Sequence, residues 1–179
     1  MARRVYKSNT NTDHVMSSSQ SIHETVEGSH EYKIEGYSLA KGMGVGKYMS
    51  SGKFTVGGHV WAVLFNPDAN TEDSKDYVSV YLELVNPAEQ EVRALYEFSL
   101  LDQSGKNKYG VHVSPTTPTT FKTESPIWGC TEFMERSDFE TSSYLKDDCL
   151  TIHYMSQNLK GLLESGIGSD ITVVVLRLR

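Results

Sequence analysis

The fold is decided by residues 59–87, HVWAVLFNPDANTEDSKDYVSVYLELVNP, in which two apolar runs are separated by turn-forming residues. The second run alternates between Val or Leu and another residue type, with the period of two that is typical of a half-buried β-strand. Asn66-Pro67-Asp68 and Asn86-Pro87 cannot continue a strand, because proline lacks a backbone N–H. The stretch therefore predicts two strands, each ended by a turn.

Similar short runs recur from residue 30 to residue 155, at intervals of about 8 to 15 residues. Two segments are instead typical of a helix, residues 38–41 and residues 156–165, and a β-type run, residues 170–178, follows the second. The sequence thus predicts an all-β antiparallel sandwich of about seven to eight strands, with a short C-terminal helix and strand. The strand-like runs are HEYKIEG, KFTVGG, HVWAVLFNPD, DYVSVYLELVNP, EVRALYEFSLLDQSG, KYGVHVSP and CLTIHYM.

Composition limits the classes of function. The 179 residues carry a net charge of −6, which provides no basic face for a nucleic acid, and no apolar stretch approaches the length of a membrane span. Two cysteines are too few for a disulfide framework, which favours a reduced protein of the cytoplasm, the nucleus or both. Residues 1–21 are rich in Ser, Asn and Thr, and we expect a flexible leader there.

Residues 41–48, KGMGVGKY, superficially suggest a nucleotide site. A phosphate-binding loop needs a glycine five residues before the glycine that precedes its lysine, whereas Lys41 stands five residues before Gly46. We therefore expect a flexible or tightly turned loop. No nucleophile or histidine pair has a catalytic or metal-binding spacing, so we predict neither an enzyme nor a cofactor or metal site.

Aromatic residues are the more informative candidates. Alternation in residues 76–85 places Tyr81 on the polar face, where it either covers a loop or forms a binding platform. The same rule assigns Tyr96 to the core. Trp128, which follows a Ser/Thr-rich loop, is either a buried plug beneath that loop or an exposed anchor.

These pieces resemble the MATH (meprin and TRAF homology) domain of plant BTB/POZ and MATH domain-containing proteins, a TRAF-like β-sandwich. The resemblance covers residues 22–155, which we take as the MATH domain, and residues 156–179 resemble the first helix and strand of a BTB/POZ domain truncated there. It rests on several separated motifs: GYSLAKGMGVGKYMSSGKFTVGGHVWAVLFNPD, KDYVSVYLELV, VRALYEFSLLDQSG, SPIWGCTEF, LKDDCLTIH and QNLKGLLESGIGSDITVVV.

The resemblance implies a non-enzymatic adaptor of cullin-based ubiquitin ligases, whose sandwich holds a Ser/Thr-rich degron peptide in an aromatic groove. A complete BTB domain would dimerise and bind a cullin-3-type scaffold, so without it we expect a monomer. In that case the chain is alternatively a competitor that protects substrates, or a non-functional fragment. The residues that match the groove are Tyr81, Tyr96, Trp128, Gly129 and Cys130, with Thr120 or Phe121 as a further match.

Two positions depart from the family's Trp-Gly-aromatic-Lys motif. Cys130 and Thr131 take the last two places, which removes one ring and one positive charge. Loss of an aromatic hot spot typically weakens binding tenfold or more, by about 1 to 3 kcal/mol. We therefore expect altered peptide affinity or choice.

Overall fold

A computed structural model describes residues 26–87, 91–105 and 108–156. These parts of the chain form eleven strands, two short α-helices and one turn of 3-10 helix, Glu72–Ser74. The helices are α1 (Tyr37–Ala40) and α2 (Arg136–Thr141). The strands are β1 (Ser29–Glu35), β2 (Met49–Ser50), β3 (Phe54–Val56), β4 (His59–Asn66), β5 (Tyr77–Val85), β6 (Val92–Ala94), β7 (Tyr96–Asp102), β8 (Lys108–Val113), β9 (Thr119–Phe121), β10 (Ile127–Glu135) and β11 (Cys149–Ser156).

The strands build an antiparallel sandwich of two main sheets. One sheet has the strand order β1-β11-β7-β8, and the other has the order β10-β5-β4-β2, with β3 also paired to β4. A small ladder of β6 and β9 completes the fold. The predicted all-β TRAF-like sandwich is confirmed. β1 and β8 are the edge strands of the first sheet; β10 is one edge of the second, and β2 and β3 lie along the other.

The core lies between the two sheets. Val78, Val80, Leu82 and Leu84 all point inward from β5, as their alternation predicts, and each is at most 2% exposed. Phe98, Leu100, Leu150, Ile152 and Tyr154 are buried on the other sheet. The ring of Phe54 lies 5.1 Å from that of Tyr154, so side chains of the two sheets meet directly.

Each of the seven strand-like runs contains a strand, but the sequence missed β2, β9 and β10. The first two have only two and three residues, too few to show alternation. In β10 the register to β5 shifts between Cys130 and Met134, and such a bulge interrupts the period of two. The run that contains Tyr96 splits at Leu95 into β6 and β7, which belong to different ladders.

The helices only partly follow the prediction. The segment predicted at residues 38–41 is α1, whereas α2 was not predicted, because six residues with one large apolar side chain, Phe139, give no helical period. Phe139 is fully buried, and its ring lies 5.3 Å from that of Tyr37. The predicted leader, residues 1–21, lies outside the described residues. So does the predicted BTB segment with its helix and strand, apart from Ser156, which belongs to β11. No helix in the described ranges is long and apolar enough to cross a membrane.

Candidate peptide-binding edge

The candidate site is built on β10 and the loop before β9. β10 pairs with β5, and no other strand in the described ranges pairs with its outer edge. Backbone groups along such an edge can hydrogen-bond to an added strand. The register places Trp128 opposite Leu82, Gly129 opposite Tyr81 and Cys130 opposite Val80.

Trp128 is the most exposed ring on this edge. Its side chain is 45% exposed, and its indole Nε1 donates a hydrogen bond to the carbonyl oxygen of Ser125 at 3.2 Å. Of the two alternatives from the sequence, the structure therefore has the exposed residue and not the buried plug. Beside the ring is an open depression of about 410 Å³. Besides Trp128, it is lined by Pro115, Thr117, Pro118, Thr119, Thr120, Lys122 and Ser125.

Tyr81 is half-buried on the outer face of β5, the face that alternation predicts. Its Oη donates to Oγ1 of Thr131 at 2.8 Å, and the hydroxyl of Ser79 donates to the backbone carbonyl of the same threonine. These two bonds hold the bulge of β10. Paired residues of a ladder point to the same side, so Trp128 points to the side of its partner Leu82. Leu82 and Tyr81 are neighbours on β5 and point to opposite faces. Tyr81 and Trp128 therefore lie on opposite faces of the sheet. The structure therefore does not bring these two predicted groove residues together.

Gly129 is required by the close approach of two strands. A Cβ at this position would lie 2.5 Å from Cα of Tyr81, and it would also clash with the carbonyl oxygen of Val80. Both atoms belong to the backbone of β5 and cannot move aside without a shift of the strand. The sequence singled out Gly129 through the motif, but only the strand register reveals this steric reason.

Tyr96 and Phe121 lie beneath the surface and not on it. Tyr96 is 3% exposed, as its alternation predicts, and Phe121 is fully buried with its ring 5.0 Å from that of Trp61. Both rings thus lie in the core, and a contact of either with a peptide stays a prediction. Of the two alternatives in the TTF stretch, Thr120 lines the depression and Phe121 belongs to the core.

The buried Tyr96 is joined to the lining of the depression through Thr119. Burial raises the pKa of Tyr96 to about 12, and the side chain of Thr119 hydrogen-bonds to its hydroxyl. Cys130 is half-buried against the core, and burial raises the pKa of its thiol. A thiol that stays protonated and turns inward contributes packing at this edge, not charge.

Charge at the depression is limited to one paired cation. Lys122 forms an ion pair with Glu91, and the hydrogen bond to this carboxylate raises the pKa of Lys122. The remaining lining side chains are prolines, hydroxyl residues and the indole of Trp128. This composition suits an uncharged segment with small polar side chains.

The amides of the glycine-rich loop, residues 41–48, bind a carboxylate of the chain itself. Gly42 and Gly44 have positive φ angles of 94° and 99°, and their amides donate to the carboxylate of Asp68 at 2.7 and 2.9 Å. Arg136 also donates to this carboxylate, at 3.0 Å. Amides that could bind a phosphate are thus directed at an internal anion, which fastens the loop to α2. No cluster of three potential metal ligands occurs among the described residues.

Fold and edge geometry together define a β-sandwich of the TRAF-like class, with an open edge strand that carries an exposed tryptophan. A solved structure titled Notothenia coriiceps TRAF5 matches this fold with a TM-score of 0.58 and 21% sequence identity, covering 73% of each chain. Residues 29–154 match the family model described as MATH domain. The chain belongs to the MATH domain family.

Similar curated proteins come from Arabidopsis thaliana. "BTB/POZ and MATH domain-containing protein 5" is 49% identical over an alignment of 152 positions, which covers 80% of this chain and 37% of that protein. "BTB/POZ and MATH domain-containing protein 3" is 42% identical over an alignment of 186 positions, gaps included, which covers 88% of this chain and 45% of the relative. The chain thus spans less than half the length of the curated relatives it matches.

Proposed function

We propose that this MATH domain binds extended Ser/Thr-rich segments of other proteins along the outer edge of β10, with Trp128 as the anchor. The observation that carries the proposal is a large aromatic side chain, 45% exposed, on a strand whose outer edge is unpaired in the described ranges. Exposed aromatic residues provide large contact areas at a low entropic cost, and they are common binding hot spots. The function is recognition and not catalysis.

The proposed recognition combines backbone and side-chain contacts. An extended peptide adds to β10 as a further strand, so main-chain hydrogen bonds supply affinity without regard to sequence. Alternate side chains of the peptide reach the depression beside Trp128, where hydroxyl groups of Thr117, Thr119 and Thr120 offer donors and acceptors. Small polar side chains fit there, whereas a charged side chain would meet only the already paired Lys122.

The two departures from the family motif, Cys130 and Thr131, reduce the number of side chains that can contact the peptide. Thr131 is engaged with Tyr81 at the bulge, and the Cys130 side chain is packed against the core. Neither residue supplies the ring or the positive charge that the family motif has at these places. Affinity would therefore depend on Trp128 more strongly than in a domain with the full motif.

The proposed cellular role is that of a substrate-recognition module of the ubiquitin pathway, in the cytoplasm, the nucleus or both. Support comes from the MATH family match and from relatives whose names combine BTB/POZ and MATH domains. Contact with a cullin-3-type scaffold is proposed only for a product that contains a complete BTB/POZ domain. The sandwich itself would select the substrate.

Replacement of Trp128 by alanine tests the proposal. Trp128→Ala should weaken the binding of a Ser/Thr-rich peptide at least about tenfold, because an aromatic hot spot is worth roughly 2 kcal/mol or more. Calorimetry or pull-down would measure the loss, and circular dichroism would verify the fold. Tyr109→Ala is the matched control, since Tyr109 is 44% exposed on β8, an edge strand of the other sheet. Equal binding by the wild type and Trp128→Ala would refute the assignment.

A further inference from the structure

Three Ser/Thr-Pro dipeptides surround the depression beside Trp128. The chain contains five prolines, and the two outside this region, Pro67 and Pro87, each follow asparagine. The other three form Ser114-Pro115, Thr117-Pro118 and Ser125-Pro126. Each of these dipeptides contributes at least one residue to the lining. The whole set of proline-directed hydroxyl residues in the chain is thus gathered at one site.

The three hydroxyl residues differ in accessibility. Ser114 is half-buried. Ser125 is also half-buried, and a pair of backbone hydrogen bonds of 3.1 and 3.2 Å closes it into a tight turn with Lys122. Thr117 is exposed in the loop between β8 and β9, outside any strand, and a residue before proline favours the extended conformation. A kinase can therefore bind the segment around Thr117 without breaking a ladder of the sandwich.

We propose that Thr117 is a phosphorylation site for a proline-directed Ser/Thr protein kinase. In this reaction Oγ1 of Thr117 attacks the γ-phosphorus of ATP, a new P–O bond forms, and the bond to the β-phosphate oxygen breaks to release ADP. The hydroxyl proton passes to a base of the kinase. The product carries a charge of about −1.5 to −2 at neutral pH on a loop that borders Trp128.

The position of Thr117 gives the modification a consequence for the site. Thr117, Lys122 and Trp128 line the same depression. The ion pair of Lys122 with Glu91 is solvent-exposed, with side chains 40% and 58% accessible, and such pairs are weak enough for a dianion to compete. A phosphate on Thr117 would draw Lys122 across the depression and make the approach to Trp128 strongly negative. If the proposed function holds, phosphorylation switches off the binding of uncharged Ser/Thr-rich segments.

Phosphate mapping tests the site itself. The purified chain is incubated with ATP and a recombinant cyclin-dependent or mitogen-activated kinase, and the modified residue is located by peptide mass spectrometry. We expect phosphate on Thr117 in the wild type and in Thr116→Ala, and none there in Thr117→Ala or Pro118→Ala. Phosphate that remains with Pro118→Ala, or that appears on Ser114 or Ser125 in place of Thr117, would overturn the proposal.

Fluorescence quenching tests the effect on the depression without any peptide. The chain has two tryptophans, and Trp61 is 3% exposed, so a quencher in solution reaches mainly Trp128. Phosphate close to Trp128 should lower quenching by the iodide anion roughly twofold at low salt, while quenching by neutral acrylamide changes little. Unchanged iodide quenching would contradict the proposed effect of the phosphate on the approach to Trp128. If the unmodified chain binds no Ser/Thr-rich peptide, the proposed function is refuted. The phosphorylation proposal is still tested separately, because neither phosphate mapping nor iodide quenching involves a peptide.

Discussion

Two of the edge strands, β8 and β10, each present one large exposed aromatic ring, and the two rings differ in what surrounds them. Tyr109 on β8 stacks on His153 with ring centroids 4.4 Å apart, and its hydroxyl donates to the carboxylate of Glu31. Trp128 on β10 borders an open depression, and its one hydrogen bond among the described contacts goes to the turn at Ser125. Exposure alone therefore does not distinguish the two rings, whereas the open depression beside Trp128 does.

The largest expected effect is a loss of stability when a glycine of β10 or β8 is replaced by alanine. Gly129→Ala should destabilise the fold by about 3 kcal/mol, because the new methyl group meets the backbone of β5 and forces β10 to shift. Gly110→Ala on β8 should cost only about 1 kcal/mol, since the obstacle there is the movable side chain of Tyr144. Chemical denaturation measures both variants. Equal losses would remove the steric distinction between the edges.

Removal of one tyrosine hydroxyl group beside β10, or of one on β8, should lower the stability by a smaller amount. Tyr81→Phe deletes the 2.8 Å hydrogen bond to Thr131 that holds the bulge of β10, and we expect a loss of about 1 kcal/mol. Tyr109→Phe deletes a bond at the exposed surface and should cost less than about 0.5 kcal/mol. A larger loss for Tyr109→Phe would show that the β8 contact, not the bulge, is the more important for stability.

The smallest expected effect is a change in the pKa of Tyr109 on β8. The hydrogen bond to Glu31, together with partial burial, holds the pKa of Tyr109 above its ordinary range. Glu31→Gln removes the carboxylate that disfavours a tyrosinate, so the pKa of Tyr109 should fall toward the ordinary value. NMR of tyrosine labelled at Cζ can follow this titration, with Tyr109→Phe to assign the signal. An unchanged pKa would show that Glu31 is not the partner of Tyr109.

The sequence predicted the centre of the fold better than its edges. β5 has four buried residues at alternate positions, so its inward and outward faces could be assigned correctly from the sequence alone. β10 carries a glycine, a bulge and mostly exposed side chains, and none of these gives a regular period. Edge strands are poorly predicted because half of their surroundings are solvent, which places few constraints on residue type.

The candidate site is also only partly predictable from local sequence patterns. Motif resemblance groups Trp128 and Gly129 with Tyr96 and Phe121 as groove residues, although the last two rings are buried. Periodicity was the better guide for Tyr96, because alternation reports which face of a strand is inward. No local pattern could show that Trp128 and Tyr81 face opposite ways, since this depends on the register between two strands 50 residues apart.

The most direct test of the central claim is amide hydrogen exchange with and without a saturating Ser/Thr-rich peptide. Addition of a peptide strand to β10 predicts that amides on its outer edge exchange at least about tenfold more slowly, while those of β8 do not change. Protection should be greatest near Trp128 and Gly129, and Trp128→Ala should abolish it. Protection of β8, or binding without any protection of β10, would contradict the account.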